Sequence, residues 1–176
     1  MKLVKIFVIV FSILLATPIL LATPTLAGGI GGKTMMALAN GDIKVAQTTF
    51  ANQTIIMKRL SDATGYKKDA KAIPIKGTFV AYLASNGQIL IWSKESSKII
   101  KGAWAVVNSK EKKPKILFCL SLTKQRKNVM CHIVKYMGNV VFDSAKGNIF
   151  NLKSGGLVPA PLPYSRSLST IQNKIK

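Results

Sequence analysis

The sequence predicts an α+β fold that is mostly β: an antiparallel meander, bent into a curved sheet or partial barrel, with one N-terminal helix. Three observations carry this. From Lys76 onward the apolar residues recur with period two, and turn signals interrupt them about every 8–15 residues. Asn86-Gly87 is the strongest hairpin turn in the chain, because both residue types tolerate positive φ. Ahead of that region, Thr49–Thr64 has helical spacing: Ile56, Leu60 and Ala63 fall on one face, Thr48 or Thr49 is placed to cap it, and Gly65 terminates it.

The elements follow in chain order. Met1–Lys5 carries two lysines, an apolar run extends from Ile6 to Leu15 and on past Pro18 to Leu21, and Thr25-Leu26-Ala27 ends it in small residues. A basic start, an apolar stretch and a small-x-small exit describe a secretory signal peptide over residues 1–27. Ala37-Leu38-Ala39 is a second exit, farther from the apolar run. The other reading is an uncleaved anchor helix, against which Pro18 and Pro24 weigh. Ala27–Thr34 nearly matches a phosphate-binding loop, and Val140–Asp143 resembles its magnesium-holding strand. Such a loop needs a strand feeding it and a helix following it, whereas here a proline-broken signal segment precedes it, so the match reads as coincidence. Residues 28–47 read as a flexible leader and 48–153 as the β-rich domain.

Within the domain, strands are expected over Thr78–Ala84, Gln88–Ser93, Ile99–Val107, Ile116–Leu122, Asn128–Met137, Val140–Asp143 and Ile149–Leu152. Phe79, Leu83, Leu90, Trp92, Trp104, Phe118, Leu120 and Val134 are the expected core. After Ser154-Gly155-Gly156 the composition shifts to Pro159-Ala160-Pro161-Leu162-Pro163 and a polar, basic end; residues 154–176 read as a Pro-rich basic tail, docked or mobile.

The composition narrows the chemistry. The 176 residues are 48% apolar and 18% charged, with 26 Lys+Arg against 6 Asp+Glu and one His, a net charge of +20. A disordered polyelectrolyte would be poorer in apolar residues. A carboxylate-pair hydrolase would have to draw on Asp42, Asp62, Asp69, Glu95, Glu111 and Asp143, no two of which form a catalytic motif. One His excludes a His-rich metal site. No catalytic residue, metal or cofactor is therefore assigned.

Two cysteines in an exported chain are expected to pair. If the strands around Thr123–Lys127 form a hairpin, the register sets Cys119 opposite Cys131, and a cross-strand disulfide there stabilises by about 3 kcal/mol in the chain-entropy view. The alternative is a metal-binding or nucleophilic Cys; Cys131 and His132 are neighbours, so on a strand they point to opposite faces. His132 falls opposite Phe118 on an apolar face, which reads as a packing residue with one hydrogen bond.

Charge runs ordinarily mark solvated loops. In an up-and-down meander, alternate loops share an end, which gathers Lys94 and Lys98, then Lys124, Arg126 and Lys127, then Lys146 at one end of the sheet. Lys110, Lys112 and Lys113 lie at the other, roughly 20 Å away at about 3.3 Å per residue. The six-cation end is the candidate contact for an anionic surface or an acidic protein. Aromatic residues do not interleave with these lysines, so sequence-specific nucleic-acid recognition is not expected.

Leu60-Ser61 in the helix, Tyr82-Leu83-Ala84-Ser85-Asn86-Gly87, Trp92, Gly102-Ala103-Trp104 and the two cysteines follow one another in an order that resembles a family of small exported alphaproteobacterial domains without assigned function. The resemblance spans residues 54–153 and implies a β-rich fold and an envelope or secreted location; the basicity and the Pro-rich tail depart from it. The expected function is a non-enzymatic binding or interaction protein, periplasmic or secreted, a class that includes secreted bacterial effectors, contacting an anionic or protein partner. The alternative is a carrier of a small apolar ligand with a lipocalin-like cavity, and an enzyme is the third reading. No membrane span is expected once the signal is removed.

Overall fold

The computed structural model describes residues 41–58, 75, 77–122 and 129–176. The expected signal peptide, the expected leader up to residue 40, the near phosphate loop, residues 59–74 and the cations Lys124, Arg126 and Lys127 lie outside the described residues. The described residues form a seven-stranded antiparallel sheet curled into a half-barrel, with few helices among them, in agreement with the expected class.

The first element differs from expectation. Helix α1 is Ile43–Phe50, and its N-cap is Asp42, whose carboxylate accepts from the Lys44 and Val45 amides at 2.6 and 3.2 Å. Residues that were expected to continue a helix from Thr49 instead turn at Asn52, which adopts φ 56°, and enter strand β1, Gln53–Lys58. The physical reason is burial on both sides. Thr54, Ile55, Ile56 and Met57 are all fully buried, because β1 is an inner strand hydrogen-bonded to two neighbours, and a short continuous apolar run carries no period that separates strand from helix.

Strands β2 (Thr78–Leu83), β3 (Gln88–Trp92), β4 (Ile100–Asn108) and β5 (Ile116–Ser121) follow close to the expected ranges. The β2–β3 turn uses only one positive φ. Gly87 takes φ 81° while its amide donates to the Ala84 carbonyl at 3.0 Å, so Ser85-Asn86-Gly87 is a three-residue loop rather than a two-residue one. Strand β6 is Val129–Ile133, shorter than the expected Asn128–Met137, because the chain coils into a 3-10 helix over Val134–Asn139. That helix carries the chain across the inside of the curve to β7, Val141–Lys146.

The strand order is β6-β5-β4-β3-β2-β1-β7. The last strand therefore does not extend the meander beside β6; it returns to pair with β1, with a register shift at Ile56/Met57. The expected strand at Ile149–Leu152 is not one. Ile149 and Phe150 form a turn, Asn151 and Leu152 run on irregularly, and Phe150 and Leu152 are buried against the outer face of the sheet.

Two cores result, one on each face. The inner core joins Ile55, Met57, Phe79, Leu83, Trp104, Phe118 and Leu120 to Phe50 of α1 and Val134 and Met137 of the 3-10 helix. Phe118 is its hub, with ring centroids 4.8 Å from Phe50 and 6.0 Å from Trp104. The outer core joins Ile56, Val80, Leu90 and Trp92 to the C-terminal segment through Phe150, Leu162, Leu168 and Ile171. All eight residues expected in the core are buried, six in the inner core and Leu90 and Trp92 in the outer one.

The C-terminal segment is thus docked. Trp92 Nε1–H donates to the Ala160 carbonyl at 3.0 Å. The Ile99 amide donates to Gly156 at 2.8 Å, and the Val158 amide to Ser97 at 3.1 Å. Helix α2, Leu168–Lys174, is held at its start by Asp143, whose Oδ2 accepts from the Leu168 amide at 2.8 Å. The Arg166 guanidinium lies 4.7 Å from the Phe142 ring centroid.

Candidate binding surfaces

The β5–β6 hairpin has the register expected of it. Phe118 opposes His132, and Cys119 opposes Cys131. The two cysteines form a disulfide across Cα atoms 4.0 Å apart. Because side chains alternate, Phe118 and His132 face the inner core while the disulfide sits on the outer face.

His132 is 5% exposed. Loss of hydration pushes its pKa below the ordinary 6.5, and a hydrogen bond to the Tyr136 backbone opposes that shift. Among the described residues its Nε2 has no hydrogen-bond partner. Asp143, the other titratable group of catalytic interest, lies on the opposite face: its register partner Ile56 belongs to the outer core. It is engaged as the acceptor for α2 and for the Ser144 amide at 2.8 Å. The fold therefore separates the imidazole from this carboxylate by the thickness of the sheet. Among the described residues no cluster of three or more His, Cys, Asp or Glu is arranged to hold a metal ion, and no helix is long and apolar enough to cross a membrane.

The expected six-cation end does not assemble as one patch. Lys94 and Lys98 lie in the β3–β4 loop, beyond the Trp92/Val80 pair. Lys146 is at the far end of the sheet, because β7 runs antiparallel to β1 and sets Lys146 opposite Gln53, which in turn opposes Leu83. The two ends are roughly 17 Å apart along the strand at about 3.3 Å per residue. The meander expectation placed Lys146 wrongly because it assumed that each strand pairs with its predecessor. Positive charge is instead widespread: the described residues hold fifteen Lys and Arg against four Asp and Glu. Glu111 is committed to Lys115 at 2.9 Å.

Two surface features stand beside this charge. One is a cleft of about 270 Å³ between the outer face and the C-terminal segment, lined by Ile56, Val80, Leu162 and Ile171 together with Lys94 and Tyr164. The inner side of the curve, where a lipocalin-like cavity would lie, is filled by the inner core. The other feature is the outer face of β4–β6, which the C-terminal segment leaves open. Sequence reasoning missed it, although the alternation of Ala103, Ala105 and Val107 with Trp104 and Val106 was available as a signal.

No family model matches the chain, and comparisons with curated proteins and with solved structures likewise return no significant match.

Proposed function

We propose that the chain is an exported, non-enzymatic interaction protein, periplasmic or secreted, that contacts an acidic protein partner through its basic surface. The observation that carries this reading is the excess of fifteen cations over four acids on a scaffold packed on both faces. Four carboxylates can neutralise only a minority of those charges, so the surface attracts acidic partners over distances up to about 8–10 Å at physiological salt. Export is part of the proposal. It is supported by the basic-then-apolar start of the sequence, by the disulfide, which suits an oxidising compartment, and by the resemblance to small exported domains.

The test is capture by the purified protein at about 50 mM and about 500 mM salt, with acidic proteins, anionic vesicles and nucleic acid offered in parallel. Acidic proteins retained at low salt and lost at high salt are the expected result. Salt-independent capture, or preference for vesicles or nucleic acid, overturns it.

A second reading, a carrier of a small apolar ligand, draws on the apolar cleft beside Leu162 and Ile171. Saturable, salt-insensitive binding of a fluorescent fatty acid, lost in Ile171→Asp, would favour it.

A further inference from the structure

The outer face of the sheet is treated differently in its two halves. Over β7, β1, β2 and β3 the chain covers it with its own C-terminal segment. Over β4, β5 and β6 no such cover is present among the described residues. There Ala103 and Ala105 are exposed, Val107 is 39% exposed and Val129 is 40% exposed. With the half-buried Ile133, they surround the Cys119–Cys131 bridge.

The residue types are what stand out. A sheet face turned to water is normally polar or charged, and this chain has cations in abundance. Yet no outward side chain of this half-face beyond Lys101 is charged: Ala103, Ala105, Val107 and Val129 are exposed, and Cys119 and Ser121 are buried among them. The cations stand at the border instead. Lys101 precedes the patch on β4 and is exposed. Lys115 and Lys135 share a cleft with Ile133, and the β4–β5 loop adds Lys110, Lys112 and Lys113. The single acid of that loop, Glu111, is already paired with Lys115.

We infer that this half-face is the docking surface for the acidic partner, an inference that rests on the function proposed above and gives it a location. The partner presents an apolar centre to the disulfide and carboxylates to the lysine border. The division follows the usual anatomy of an interface, an apolar centre within a polar rim. The disulfide makes the centre stiff, so little conformational freedom is lost on docking. A second copy of the chain is disfavoured as occupant, because it would bring the same lysines to the same border.

The test places a photo-crosslinking amino acid at positions 105, 107 and 129, one at a time, in the full-length protein within the cells that make it. Val45 on α1, 43% exposed, is the control position. The expected result is one acidic protein crosslinked from all three positions and not from 45. Two charge variants then separate docking from general attraction. Ala105→Glu and Ala105→Lys each lower the crosslink from position 107 by about tenfold or more, because either charge is desolvated at the centre, while thermal unfolding stays unchanged. If Ala105→Lys retains or raises the yield, attraction is electrostatic only and the docking surface is overturned while the proposed function stands. If salt-sensitive capture of an acidic protein persists without crosslinks from these positions, the partner sits elsewhere. Crosslinks to lipid or to a second copy overturn the inference, and loss of salt-sensitive capture altogether overturns the function itself.

Discussion

His132 is held in surroundings that disfavour its charge, and this has a sign. Its pKa lies below the ordinary 6.5 in the folded chain because burial strips water from the ring. The unfolded chain therefore takes up the proton first on acidification. The stability tied to this group is full above 6.5 and is lost progressively as pH falls from that value toward the lower folded one. Thermal unfolding followed from about pH 7.5 to about pH 5 should show a fall in midpoint that His132→Phe flattens; an equal slope in the variant would assign the acid sensitivity to another group. Gly102 gives a second prediction. A Cβ there would run into the Ser121 carbonyl oxygen and stand 2.8 Å from Leu122 Cδ2. The backbone neighbour cannot rotate away, so Gly102→Ala is expected to cost about 1–3 kcal/mol in denaturant unfolding.

Among the elements, the β5–β6 hairpin was the most legible from sequence, because one loop length sets the opposition of Cys119 with Cys131 and of Phe118 with His132 together. Replacing both cysteines with Ala is expected to lower stability by about 3 kcal/mol, read by denaturant unfolding with and without a reductant. Wild-type protein in reductant should fall to the level of the double variant. The helix and β1 were misread for a reason that generalises. Ile55-Ile56-Met57 is apolar at successive positions, and only the strand's neighbours on both sides explain why. Nothing local announces that β7 returns to β1, and the misplacement of Lys146 follows from that one long-range choice. The open face of β4–β6 was written in the sequence as Ala103, Ala105 and Val107, but residues so small read equally well as core until the sheet shows which side faces water.

At the scale of the whole molecule, the C-terminal segment behaves as a third layer. Its prolines concealed this: Pro159, Pro161 and Pro163 break any period around Leu162, and Leu168 and Ile171, although three apart on one face of α2, belong to a helix of only seven residues. Ending the chain after Lys153 would remove those three buried side chains and bare Ile56, Val80, Leu90 and Trp92. At about 1.5–3 kcal/mol for each buried aliphatic, the loss is on the order of 5 kcal/mol or more, comparable to the whole stability of a small domain. The truncated chain is therefore expected to aggregate or unfold, as followed by circular dichroism and size-exclusion chromatography.

The return of β7 to β1 also governs timing. A nascent chain emerges with its N-terminal part first, so β1 waits with one hydrogen-bonding edge bare until nearly all later strands have been made. Closure of the curl is thus postponed to the end of synthesis. On the export route proposed above, a polypeptide threading a narrow translocation channel while still unlaced would obtain that delay from its own strand order.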